Sequence, residues 1–198
     1  MDEIVRAAMA RWPDVPDVYG WLRLDERGRF RIRNADAERG TRFDPIGNTA
    51  LLRFIGRNYQ SDARGCWYFQ NGPQRVFVQL ALTPWVFRLD GAGAPVTHTG
   101  CAASRADTLL LDEHAGAILV TELGPGLVDD RDLGVVLDRL TDAAGHAVTD
   151  AQIESWLAAP VDDQLRFRFR DECIAVGPAV RAQLPWRLGF EPNPQAPA

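Results

Sequence analysis

At 198 residues and 46% hydrophobic, the chain can form one large domain or two small ones and bury a sizeable core, and its net charge of −5 argues against sequence-independent nucleic-acid binding. All 22 basic residues are arginine, which excludes Schiff-base catalysis, a pyridoxal-phosphate anchor and a P-loop lysine. No apolar run approaches the roughly 18 residues of a membrane span, and the acidic start Met1-Asp2-Glu3 lacks the order of a signal peptide.

In chain order, the spacing of Ile4, Ala7, Ala8 and Arg11 predicts a helix over Glu3–Trp12, stopped by Pro13. Gly20–Asp25 reads as a strand, Glu26-Arg27-Gly28 as a hairpin turn, and Arg29–Arg33 as a strictly alternating strand with Phe30 and Ile32 on the core face. Asn34–Gly47 reads as a polar loop. Asn48 or Thr49 then caps a helix whose buried stripe is Leu51, Leu52, Phe54 and Ile55. Cys66–Phe69 and Val76–Leu82 are strands joined through Asn71-Gly72, and Thr83-Pro84 separates them from a strand at Trp85–Leu89. Further strands follow at Leu109–Leu111 and Ile118–Val120. Asp129 or Asp130 caps a helix with Leu133, Val136, Leu137 and Leu140 at helical spacing, and Thr149 caps another up to Leu157. Leu165–Arg170 alternates again, Cys173–Val176 continues as strand, and the proline-rich end reads as a loose tail.

Part of this pattern recurs. Leu22 to Phe30 returns as Leu109 to Ile118, and Pro84-Trp85 at the close of the first copy returns as Pro185-Trp186. The organisation expected is an N-terminal helix and lead-in over 1–18, a first repeat over 19–90, a linker over 91–107, a second repeat over 108–191 and a tail over 192–198. The charge is uneven: residues 1–100 carry 14 arginines and 11 acids, residues 101–198 carry 8 and 16. Such asymmetry lets the halves attract each other, or lets one face take an anion.

Chemistry is sparse. Cys66, Cys101 and Cys173 lie far apart, as expected of free thiols in a reducing cytoplasm. No metal-ligand spacing and no nucleophile elbow occurs, and no metal or cofactor is expected. The densest segment is Arg57–Arg75, where aromatic residues stand beside arginine and amide groups. Arg57, Tyr59, Trp67, Gln74, Arg75 and Trp85 are the candidate wall of a ligand site, for a carboxylate, a peptide or a planar molecule. The plainer reading makes the aromatics core and the amides turn residues. Two arginine ladders, Arg29/Arg31/Arg33 and Arg166/Arg168/Arg170, each share a strand face. They read as solvated faces, or as sites needing counter-charge.

Gly20-Trp21-Leu22, Leu24-Asp25, Arg57-Asn58-Tyr59, Asp62, the run Trp67–Val76 and Thr83-Pro84-Trp85 resemble an uncharacterised proteobacterial family. The overall plan is similar to that of the bacterial domain-of-unknown-function family numbered 1285, with Phe30 in place of an expected tryptophan and Ala81 in place of an expected acid. That resemblance implies two repeated α/β half-barrels and a ligand-binding or signalling role.

The fold expected is α+β: two tandem strand–helix–strand repeats forming curved mixed or antiparallel half-barrel sheets, each around one helix. The function expected is a cytoplasmic, non-enzymatic module for a small molecule or protein partner, with no nucleic acid and no membrane. The alternatives are an enzyme of undefined class using Cys66 or Asp62, and a structural protein whose Trp and Arg faces bury a homodimer interface.

Overall fold

A computed structural model describes residues 1–34, 42–161 and 163–196. The chain divides into two units, Met1–Pro84 with Pro185–Ala198, and Trp85–Leu184. The first holds α1 (Glu3–Arg11), β1 (Val18–Leu24), β2 (Phe30–Arg33), β3 (Phe43–Pro45), α2 (Thr49–Arg57), β4 (Tyr59–Ser61), β5 (Trp67–Asn71) and β6 (Gln74–Leu80). Its strands lie in the order β3-β2-β1-β6-β5-β4, with β1 and β6 parallel and every other pair antiparallel. Asn48 caps α2, its Oδ1 accepting the Leu51 N–H at 3.0 Å.

This sheet is curled. Phe30 on β2 and Tyr59 on β4 are separated by three strands in the sheet order, yet their rings meet edge to face at 5.5 Å. In a flat sheet, strands about 4.8 Å apart would hold them nearly 20 Å from each other. The concave face therefore closes on itself, burying Leu22, Leu24, Phe30, Tyr59, Trp67, Phe69, Val78 and Leu80, and α2 packs there through Phe54 against Phe69. Its fully buried residue is Ile55, while Leu51 of the expected stripe is 39% exposed. Ile32, expected in the core, is 47% exposed. The helix packs on β5, three strands away from β2, and does not cover it.

The second unit holds β7 (Trp85–Leu89), β8 (Pro95–Thr97), β9 (Ala106–Asp112), β10 (Ala117–Thr121), β11 (Gly124–Val128), α3 (Leu133–Leu137), β12 (Leu140–Asp142), α4 (Asp150–Ala158), β13 (Leu165–Phe169) and β14 (Glu172–Ala179). Its sheet runs β12-β13-β14-β9-β10-β11-β7-β8. Read from β11 to β12, this is the strand order of the first sheet, again with one parallel pair at the centre, β9 with β14. The α+β plan of two mixed sheets with one strand order is therefore the one expected, the first of them curled, and β7 and β8 extend the second sheet beyond β11.

Several boundaries differ from expectation. Trp85–Leu89 pairs with β11 and belongs to the second unit, and β8 lies in the stretch read as a linker. The helix expected after Asp129 or Asp130 and running through Leu140 is instead a 3-10 turn, the short α3 and then β12, because Leu140 pairs with Phe167 on β13. Phe43–Pro45 is a strand within the expected polar loop, of which residues 35–41 lie outside the described residues. After α5 (Leu184–Leu188) and the buried Phe190, the start of the expected loose tail is held: Leu80 N–H donates to the Pro192 carbonyl at 2.8 Å.

Buried carboxylates tie the second unit together and set its acid response. Arg88 donates Nε and Nη2 to Asp132 at 2.5 and 3.0 Å, and the Leu89 N–H adds a bond at 2.9 Å. Arg131 grips Asp129 with two bonds of 2.7 Å. The guanidinium bonds hold both carboxyls below their ordinary value of 3.8 against the opposing effect of burial. A depressed native pKa means that the unfolded state binds more protons, so this stabilisation is full above the unfolded value and is lost as pH falls through the native one. The denaturation midpoint is expected to stay level from about pH 7 to 5 and to drop below about pH 4, with Asp132→Asn reducing the drop. A midpoint that climbs on acidification would contradict this.

Candidate functional site

The pleat distributes the six expected wall residues. Register along β4, β5 and β6 puts Tyr59, Trp67 and Gln74 on the concave face and Arg75, opposite Gln70, on the convex one. Tyr59 and Trp67 do meet, with ring centroids 4.9 Å apart, but both are core side chains, and the Tyr59 hydroxyl donates to the Pro84 carbonyl at 3.0 Å. Arg57 is bound to Asp2 at the start of α1, by three bonds of 3.1 to 3.2 Å. Gln74 donates to the Pro16 carbonyl at 3.0 Å, and Arg75 lies over the Tyr68 ring at 5.0 Å. Trp85 lies in the other unit, where its indole N–H donates to the Leu123 carbonyl at 2.6 Å. Tyr59 and Trp67 are thus joined by ring contact, as core side chains.

Cys66 and Asp62 occupy one tight turn. Asp62 Oδ1 accepts the Arg64 and Cys66 N–H groups at 2.9 and 3.0 Å, and Arg64 pairs with Oδ2. Burial acts to raise the Asp62 carboxyl, but the Arg64 bond and the two main-chain bonds outweigh it and the group is lowered. Cys66 is 5% exposed against Tyr68 and Phe77. Burial, with the Asp62 carboxylate, pushes its thiol up, opposite to the direction that activates a nucleophile. Asp62 here serves as a turn cap and Cys66 as a small apolar side chain.

The convex side of the β1–β2 hairpin carries a different arrangement. Arg23 on β1 stands opposite Arg31 on β2, and both alternate away from the buried Leu22, Leu24 and Phe30. Asp25 opens the hairpin turn, its Oδ1 accepting the Arg27 and Arg29 N–H groups at 3.0 Å each. Its Oδ2 receives Arg29 Nε at 2.8 Å and Arg31 Nε at 2.7 Å. Burial raises this carboxyl, yet the bonds from Arg31, Arg29 and Arg27 together lower it. One ionised carboxylate thus orients two guanidiniums by their Nε edges.

Around it lies a cleft of about 470 Å³ lined by Arg23, Arg27, Arg29, Arg31, Asp25, Glu26, Phe43 and Ala81. Four guanidiniums face two carboxylates there. The bonds to Asp25 leave the Nη edge of Arg29 for other partners. Arg23 forms no ion pair among the described residues. Ala81, the position where an acid was expected by resemblance, contributes only a methyl group, so the excess positive charge stands. The sequence marked Arg29 and Arg31 as members of a ladder but passed over Arg23 and Asp25. The signal available was Asp25 at a hairpin start with arginines four and six positions on. The two ladders lie in different sheets, β2 in the first and β13 in the second.

No helix among the described residues is long and apolar enough to cross a membrane. The family model DUF2944, described as "Protein of unknown function (DUF2946)", matches residues 1–195. Among solved structures, the chain is similar to a DUF1285 family protein from Silicibacter pomeroyi DSS-3, with 15% sequence identity and a TM-score of 0.47 over 76% of this chain and 87% of that one. No curated protein matches.

Proposed function

The chain belongs to the DUF2944 family of proteins of unknown function, and we propose that it is a non-enzymatic module that binds a small anionic ligand in the arginine cleft of the β1–β2 hairpin. The observation that carries this reading is the bracing of Arg29 and Arg31 by Asp25. Arg29, held through its Nε edge, presents its Nη edge with little ordering left to do, which favours a carboxylate or phosphate oxygen, while Arg31 is fixed further by Nη1 on the Phe43 carbonyl at 3.4 Å. Phe43 offers an apolar wall for the body of such a ligand. A reducing, cytoplasmic setting belongs to the same proposal and is supported by three free cysteines.

The test is calorimetric titration of the whole chain with succinate and with inorganic phosphate. The double variant Arg23→Gln/Arg29→Gln is expected to weaken at least one of them by roughly tenfold or more, since each lost charge-assisted bond removes about 1.5–3 kcal/mol. Its melting temperature is expected to stay within about 2 °C of the parent, because exposed ion pairs contribute little. Equal affinity of parent and variant for both anions, or no affinity in the parent, would remove the cleft as a binding site.

A further inference from the structure

A second group of guanidiniums converges in the other unit, on residues the cleft does not use. Arg139 ends the α3–β12 connection and lies beside Arg168 on β13, whose N–H donates to the Arg139 carbonyl at 2.9 Å. Arg170 follows at the β13–β14 turn. The three line one cavity of about 360 Å³, together with Gly91, Val135 and Asp138.

What sets these arginines apart is the identity of their partners. Arg139 Nη1 donates to the Arg168 carbonyl at 3.4 Å, Arg168 Nη2 to the Asp138 carbonyl at 3.3 Å, and Arg170 Nη2 to the Ala103 carbonyl at 3.1 Å. All three partners are neutral main-chain oxygens. Among the described residues none of the three pairs with a carboxylate, whereas Arg166 on the same ladder does, with Asp163 at 3.0 Å. Main-chain carbonyls position a guanidinium without cancelling its charge.

The backbone makes room for this group. Gly93, in the β7–β8 turn, has φ +77°, and a Cβ there would come within 2.5 Å of Arg139 Nε. Any side chain at 93 would displace that guanidinium. Arg170 occupies the first central position of a two-residue hairpin turn with φ 54°, a place such turns usually give to glycine. An arginine there costs about 1 kcal/mol of backbone preference.

We propose that this cavity is a second anion site and that its ligand class is a phosphomonoester dianion. Three guanidiniums against the one Asp138 carboxylate leave two positive charges. A phosphomonoester near pH 7 carries about −1.5 to −2 and three acceptor oxygens, enough to engage all three arginines. A monocarboxylate would satisfy half of that charge. The cavity exceeds a bare phosphate, which leaves space for the esterified group.

Titration calorimetry with phenyl phosphate, and with benzoate as the monocarboxylate arm, tests the site in the full chain. The parent is expected to bind phenyl phosphate, and Arg139→Gln and Arg168→Gln each to weaken it by roughly tenfold or more. Both positions are at least partly exposed, so circular dichroism melts are expected to match the parent. Arg23→Gln/Arg29→Gln is expected to leave phenyl phosphate binding at this site intact. No binding by the parent, parental affinity in both Arg139→Gln and Arg168→Gln, or benzoate bound by the parent as tightly as phenyl phosphate and lost equally in them would overturn the assignment. Loss confined to the Arg23→Gln/Arg29→Gln variant would also overturn it while upholding the hairpin cleft, so the two readings fail separately.

Discussion

Asp112→Ala is expected to destabilise the second unit by about 3 kcal/mol, the lower end of what breaking a buried ion pair costs. The Asp112 side chain is fully buried at the end of β9, while Arg181, its partner, is about a quarter exposed. Oδ1 accepts the His114 and Gly116 N–H groups at 2.8 and 2.7 Å, and Oδ2 accepts Arg181 Nε at 2.7 Å. Alanine strips a charge partner from Arg181 and leaves two main-chain donors without their acceptor, at a site too enclosed for water to replace every bond. Asp112→Asn keeps an acceptor for the turn but sets an amide against the guanidinium, so its loss is expected to fall between parent and alanine. Urea denaturation followed by tryptophan fluorescence checks the order. An alanine variant within about 1 kcal/mol of the parent would show that the turn, and not its aspartate, holds this corner.

That corner also shows how far the sequence could be read. Asp25 and Asp112 open equivalent hairpins, and the recurrence of Leu-Asp-Glu at both places was visible from residue order alone. So were the helix caps, where Asn48 and Thr149 accept the N–H three residues on. Local chemistry decides such features, and local chemistry is what a sequence displays. The partners of the two aspartates were not visible. Asp25 takes arginines four and six residues away, while Asp112 takes Arg181, 69 residues on in the chain and just past the end of the neighbouring strand β14.

The misread elements share a cause. Leu133, Val136, Leu137 and Leu140 keep helical spacing, but Leu140 is claimed by β13, and tertiary pairing outweighs a short periodic run. Trp85–Leu89 stays with the first copy by sequence and with β11 by hydrogen bonding. For the site, aromatic density drew attention to Trp67 and Tyr59, which the curl of the sheet turns inward. The arginines with excess charge are found only once strand neighbours are known. Arg139 meets Arg168 across a sequence gap of 29 residues, and no local pattern connects them.

Gly65→Ala is expected to cost about 2–4 kcal/mol and to loosen the chain end, a larger effect than a turn glycine normally has. Gly65 has φ +75°, which costs an L-residue about 1 kcal/mol. A Cβ there would also fall inside contact distance of the Gly189 carbonyl oxygen and lie 2.9 Å from Phe190 Cα, and main chain yields less readily than a flexible side chain. The segment so displaced is the one that returns to the first unit. Glu191 N–H donates to the Gly65 carbonyl at 3.0 Å, Leu80 N–H donates to Pro192, and Phe190 is buried. Gly189→Ala is the matched control, since Gly189 has φ +70° with nothing within 4 Å of its Cβ position. It carries the backbone penalty without the clash, so the difference between the two variants isolates the steric contribution. Gly65→Ala is expected to unfold at lower denaturant and to expose the C-terminal segment to limited proteolysis, with Gly189→Ala close to the parent in cleavage. Equal stability and equal cleavage in both variants would mean that the chain end can shift aside freely, and that its contacts with the Gly65 turn do not hold the first unit closed.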